Sequence, residues 1–145
     1  MSDEMEGEMN WTLEVIVVPV SDLDRSIAFY RDMLRFDVDH DTDLGEGRRV
    51  VQLTPPGSGC SIVFGAGGVV AEMEPGSVKG LQLVVPDIEL ADRILTERGV
   101  ETSGVQVLGE NPDPTGHRLD NVGMIFLSDP DGNAWAIQQM SNRGR

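Results

Sequence analysis

Hydrophobic residues are spaced along the chain in short stretches that predict eight β-strands. In Arg48 to Thr54, apolar and polar residues alternate with the two-residue period of a strand buried on one face. Turns rich in Pro, Gly, Asp and Asn separate several of the stretches, and the polar segment 41–47 is expected to form a hairpin loop. The predicted strands cover 11–20, a stretch beginning at 36, and 48–54, 60–64, 80–85, 100–107, 123–127 and 134–139.

Two further segments have the spacing of amphipathic helices. After Ser21 or Asp22, either of which can accept hydrogen bonds from the free amides of a first helical turn, apolar residues recur at helical spacing as far as Leu34. The second helical pattern covers 87–98 and is followed by Gly99, a residue type that favours the end of a helix. We therefore expect one helix after the first strand and one after the fifth.

The chain contains an internal repeat. Residues 20–30 have a diverged copy at residues 85–95, at a constant offset of 65 residues. In each copy a strand precedes the repeated segment and a helix follows, as expected for two similar modules. The sequence predicts strand, helix and three strands twice, with helices on one face of a mainly antiparallel sheet, which is an α+β fold.

This repeat defines the expected organisation of the chain. The first βαβββ module covers 11–64, the Gly-rich segment 65–79 links the modules, and the second module covers 80–140. The acidic residues 1–10 are expected to form a disordered tail, and 141–145 a second, short tail.

Composition narrows the possible partners. The net charge of −14 argues against nucleic acid or an anionic membrane surface as a partner. No apolar run approaches the length of a membrane span, and the start of the chain lacks the pattern of a signal peptide. The single cysteine, Cys60, excludes an intrachain disulfide. A cytoplasmic location is the expectation.

Three segments resemble the vicinal oxygen chelate superfamily, which includes glyoxalase I, extradiol dioxygenases, and bleomycin and fosfomycin resistance proteins. They are 18–30, which ends in Phe29-Tyr30, the strand end and cap at 84–89, and the turn 129–133 with the sequence Asp-Pro-Asp-Gly-Asn. The resemblance covers about residues 11–140. It implies a glyoxalase-like fold in which an eight-stranded sheet curls around a cavity, with the helices outside.

The resemblance also implies where metal ligands would lie, on the first and last strand of each module. These positions are held by Val15, Val63, Gly80 and Ala136, none of which has a side-chain oxygen or nitrogen. We therefore expect that this protein, unlike many members of the superfamily, has no metal at the usual site and no cofactor. The two histidines, His40 and His117, are interpreted as solvated loop residues.

The cavity implied by the resemblance would be lined by apolar residues and amides. Its predicted lining comprises Val15, Gln52, Gln82, Ala136 and Gln138, with Arg48 able to reach an anionic group at the rim. Amides both donate and accept hydrogen bonds, so such a cavity suits a neutral small molecule. In the alternative interpretation, the glutamines bond to one another or to water.

Three functions remain open at this stage. The first is a metal-free protein that binds a small organic molecule, as a homodimer like the bleomycin resistance proteins. The second is a lyase, isomerase or dioxygenase that holds a divalent metal through non-standard ligands or needs none. The third is a degenerate module serving in regulation or assembly.

Overall fold

Two four-stranded sheets of the same topology carry the fold in the computed structural model, which describes residues 9–113 and 115–142. The first sheet has the order β1-β4-β3-β2 and the second has the order β5-β8-β7-β6. In each sheet the first and last strands of the module run parallel, and the other neighbours are antiparallel. The strands are β1 (Val15–Val17), β2 (Asp37–Gly45), β3 (Arg48–Thr54), β4 (Ser61–Ala66), β5 (Leu81–Val85), β6 (Gln106–Val107), β7 (Gly123–Ser128) and β8 (Ala134–Gln139).

One helix follows the first strand of each module. Helix α1 (Leu23–Ile27) continues into a π-helical segment at Ala28–Met33, and helix α2 covers Ile88–Glu97. The carboxylates at the repeated position cap both helices. Asp22 accepts from the amide of Arg25 at 3.0 Å, and Asp87 accepts from the amide of Leu90 at 3.1 Å.

The predicted α+β fold is confirmed, and several element bounds differ from the prediction. The eight strands are divided between two sheets of four. Strand β1 has three residues and β6 has two, so both are shorter than predicted. The segment 41–47, predicted as a hairpin loop, lies mostly in β2, which continues to Gly45. The tight turn that follows has positive φ at Glu46 and Gly47, a combination that suits a two-residue hairpin.

The predicted bounds of the two modules stay predictions. Of the two predicted tails, residues 1–8 and 143–145 lie outside the described residues.

The core contains side chains from both sheets and both helices. Val51 and Phe64 from the first sheet, and Ile125 and Trp135 from the second, lie in one buried cluster with Tyr30 of the π-helical segment that continues α1. Each sheet therefore turns one face toward this cluster. The opposite face of each sheet, which we call its outer face, is free to meet a ligand.

A buried hydrogen-bond network joins α1 to the turn between β7 and β8. The Tyr30 hydroxyl donates to Asp129 at 2.7 Å and accepts from the indole N–H of Trp135 at 3.0 Å. Asn133 donates to the same carboxylate and to the Pro19 carbonyl, both at 2.8 Å. The residues of the 18–30 and 129–133 segments thus meet in the structure and hold the two modules together.

Candidate functional site

The outer face of the second sheet has a small side chain between two larger ones. Strand register aligns Gln82 of β5, Ala136 of β8 and Phe126 of β7 in one row. Phe126 is 41% exposed although its chain neighbours are buried. Because Ala136 is short, the row encloses a cavity of about 390 Å³, which we call the second-sheet pocket. Gly80 also lines it, with no heavy atom within 4 Å of where a Cβ would lie.

The equivalent row of the first sheet is filled by branched side chains. Val17, Val63 and Gln52 lie side by side across β1, β4 and β3. Val63 is only 8% exposed, whereas its counterpart Ala136 leaves open space. The two modules have therefore diverged at the same position of the row, with Val63 in the first module and Ala136, which lines a pocket, in the second.

Among the predicted amides, the structure brings Gln82 and Gln138 together. The Gln138 side chain donates to the Asn121 carbonyl at 2.7 Å, so its amide nitrogen faces Asn121 and its oxygen faces Gln82. Gln82 donates to that oxygen at 2.7 Å. This chain fixes the orientation of both amides. Within the described residues the Gln82 oxygen has no donor, so it is available to a ligand.

The third predicted amide, Gln52, lies in the other sheet. Its side chain is 3.4 Å from the Asp39 carboxylate, which also accepts from the Thr54 hydroxyl. Thr54 in turn lies 2.5 Å from the hydroxyl of Ser61. Gln52 thus has its partner within the first sheet, and a cavity lined by all three amides stays a prediction.

Loop 109–121 is fixed at its C-terminal end by a buried carboxylate. Asp120 accepts from the Ser141 hydroxyl at 2.6 Å and from the Gln139 amide at 3.0 Å. These hydrogen bonds, those of Ser141 and Gln139 first, hold the pKa of the Asp120 carboxyl well below its usual range. The anchor holds Asn121, and through it the Gln138 and Gln82 amides, against β8.

Other predicted or possible site residues lie elsewhere. The Arg48 guanidinium donates to the carbonyl of Leu44 at 3.0 Å, within the β2–β3 hairpin. His40 is not in a loop, because it lies in β2 opposite Gln52. His117 lies in loop 109–121, where its ring nitrogen accepts from the Leu119 amide at 3.1 Å.

The positions at which the resemblance implies metal ligands do not fit a metal. Val15, Val63, Gly80 and Ala136 supply no lone pair from any side chain. Among residues 9–113 and 115–142, no group of three or more His, Cys, Asp or Glu side chains could hold an ion. We therefore derive no chemistry through a metal at these positions.

Sequence reasoning missed both Phe126 and the charged residue of the pocket, Lys79. It is the only lysine of the chain, and the only charged residue that lines the second-sheet pocket. Its ammonium donates to the carbonyl of Gly132 at 2.7 Å. The repeat could have drawn attention to it, since Lys79 precedes Gly80 and its counterpart in the first module is Glu14.

Comparison with known proteins assigns the chain to a family. The model of the Glyoxalase/Bleomycin resistance protein/Dioxygenase superfamily matches residues 12–137. The chain belongs to this superfamily. No curated protein sequence is significantly similar to it. Within the described residues, no helix has both the length and the apolar character needed to cross a bilayer.

Solved structures of superfamily members resemble the chain over nearly its whole length. TnmS3, an antibiotic binding protein from Streptomyces sp. CB03234, is 31% identical, with a TM-score of 0.67 over 90% of this chain and 96% of its own. A glyoxalase/bleomycin resistance protein from the same strain is also 31% identical, with a TM-score of 0.65 over 88% and 100%. A superfamily member from Sphaerobacter thermophilus DSM 20745 is 27% identical, with a TM-score of 0.70 over 90% and 98%.

Proposed function

We propose that the protein binds a small organic molecule in the second-sheet pocket, without the metal that many superfamily members use. The observation that carries this proposal is the row Gln82–Ala136–Phe126, in which one short side chain opens a cavity between an amide and an aromatic ring. A mostly apolar pocket with few oriented polar groups is the usual form of a small-molecule site. The similarity to an antibiotic binding protein supports the same function.

The proposal is one of binding without chemical change. The carboxylates of the β7–β8 turn, Asp129 and Asp131, accept hydrogen bonds from Tyr30 and Arg25 respectively and hold the modules together. Neither lines the pocket. The pocket therefore offers contacts for recognition and no general acid or base from a carboxyl group.

Two measurements test this function together. Protein purified without chelator is expected to contain far less than one equivalent of Zn, Ni, Mn or Fe by elemental analysis. Native mass spectrometry against a panel of aromatic natural products is expected to detect bound compounds of unchanged mass.

In a Gly80→Leu variant, whose new side chain would fill the pocket, the same compounds should no longer bind. A stoichiometric metal, or a product of altered mass, would support the metal-dependent lyase, isomerase or dioxygenase instead.

We also propose that the protein acts as a homodimer through the segment that leads into β1. Its apolar side chains alternate and are exposed: Met9 by 48%, Trp11 by 87%, Leu13 by 66% and Val15 by 36%. Strand β1 pairs only with β4 among the described strands, so its other edge is free to add a strand. In a chain of net charge −14, this apolar stripe suits a second copy, because it contributes no like charges to the contact.

Sedimentation velocity tests the dimer. The native protein is expected to sediment as a dimer at micromolar concentration. A Leu13→Ser variant should shift toward monomer, because the stripe loses an apolar contact. Leu90→Ser, which changes a similarly exposed leucine on α2, is the control and should leave the dimer intact. A native protein that stays monomeric would contradict the proposal.

A further inference from the structure

The second-sheet pocket has three chemically different walls. Phe126 presents part of its ring to solvent, since it is 41% exposed on the outer face. Gln82 presents an oriented amide whose oxygen is free to accept. Lys79 is the one charged residue at the pocket, and no carboxylate of the described residues lies within 4.0 Å of its ammonium. A ligand that satisfies all three walls needs a flat apolar body and a negatively charged oxygen.

The local charge at the pocket is opposite to that of the whole molecule. The chain has 25 acidic and 11 basic residues, yet its only lysine lies at the pocket, and none of the acidic residues within 9–113 and 115–142 lines it. The ammonium has only a neutral partner, the Gly132 carbonyl at 2.7 Å. An anionic oxygen would be a stronger acceptor for it than this carbonyl, because hydrogen bonds between opposite charges are stronger than those to neutral groups.

We propose that the ligand of this pocket is a planar aromatic anion, such as an aromatic carboxylate, phenolate or sulfonate. This inference rests on the proposed function and specifies its ligand class. The aromatic plane packs against Phe126 over Ala136, where the small side chain gives it room. The anionic oxygen accepts from Lys79, and a hydroxyl or N–H group of the ligand donates to Gln82.

Two fluorescent probes with the same aromatic rings, of which only one carries a negatively charged sulfonate, test the inference. The probes are 8-anilino-1-naphthalenesulfonate and N-phenyl-1-naphthylamine, which has the same rings without the sulfonate. Both are titrated into the native protein and into Lys79→Met, Lys79→Arg and Gly80→Leu variants. Arg93→Met, which removes an exposed positive charge on α2, is the charge-matched control.

The expected results distinguish the effect of the Lys79 charge from the effect of filling the pocket. Lys79→Met should weaken binding of the sulfonate probe by about five- to tenfold and leave the neutral probe within about twofold. Lys79→Arg should restore sulfonate binding, and Arg93→Met should change neither probe. Gly80→Leu should weaken both.

Three results would overturn the proposal in distinguishable ways. If Lys79→Met leaves binding of the sulfonate probe unchanged, or weakens binding of both probes equally, the proposed preference for anions is wrong, whereas the proposed pocket is not contradicted. If Gly80→Leu changes neither probe, or if neither probe binds the native protein, the proposed site itself is wrong. If Arg93→Met weakens the sulfonate probe as much as Lys79→Met does, the effect is one of overall charge.

Discussion

At the scale of single residues, the Tyr30 hydroxyl makes two of the buried hydrogen bonds between the modules. It is fully buried, donates to Asp129 and accepts from Trp135. Burial, and then the hydrogen bond to Asp129, raise the pKa of the Tyr30 phenol, so it stays a donor throughout the physiological range. Tyr30 ends one of the segments that carry the family resemblance, and the structure adds its polar partners.

Tyr30→Phe is predicted to destabilise the protein by about 1–3 kcal/mol, because Asp129 loses a donor and the Trp135 N–H loses its acceptor. Ser26→Ala is the control. Ser26 is also fully buried, but its hydroxyl has no partner among the described residues. Its removal should change stability by less than about 0.5 kcal/mol, or raise it. Urea denaturation measures both, and equal losses would contradict the network's role.

Asp120 makes stability depend on pH. Its native pKa lies below the unfolded value, so its carboxylate stabilises the fold above about pH 4, and this stabilisation is lost as pH falls through the native pKa. Asp120→Asn is predicted to lower the melting temperature at pH 7, with a difference from native protein that narrows on acidification below about pH 4. Glu101→Gln, an exposed carboxylate, is the control. A difference that grows on acidification would refute this assignment.

At the scale of elements, the bounds of strands with one face in the core could be predicted from the sequence, whereas those of a fully exposed strand could not. Strands β3 and β8 alternate between core and outer face, and their predicted bounds match the structure. Both helices begin after a capping aspartate, as predicted. Strand β2 is exposed along its whole length and carries alternating aspartates, so it lacks the apolar signal that marks a strand. Backbone pairing with β3 forms it instead.

The linker between the modules is predicted to need glycine at position 76, because the backbone of Asp131 lies close to it. At Gly76 φ is +80°, and a Cβ would lie 2.1 Å from the carbonyl oxygen of Asp131. Gly76→Ala should therefore cost at least about 2 kcal/mol. Gly68, with φ +81° and no atom within 4 Å of its Cβ position, is the matched control. Gly68→Ala should cost about 1 kcal/mol from backbone strain alone. Thermal denaturation compares them, and similar losses would show that the contact is unimportant.

At the scale of the whole molecule, the repeat was enough to predict the fold, and the site followed only in part. The family resemblance implied four positions for metal ligands, and two of them, Gly80 and Ala136, line the pocket. Lys79 directly precedes Gly80, so the repeat marks its position but does not give its role. Its role depends on the Gly132 carbonyl, 53 residues away in the chain, and on a strand register that periodicity does not determine.

The central claim is that the second-sheet pocket binds the ligand, and amide chemical shifts test it most directly. Titration of N-phenyl-1-naphthylamine into ¹⁵N-labelled protein should give saturable shift changes concentrated at Gly80, Gln82, Phe126 and Ala136, and Gly80→Leu should abolish them. Saturable changes confined to the apolar segment 9–15, or to the outer face of the first sheet, would contradict the account.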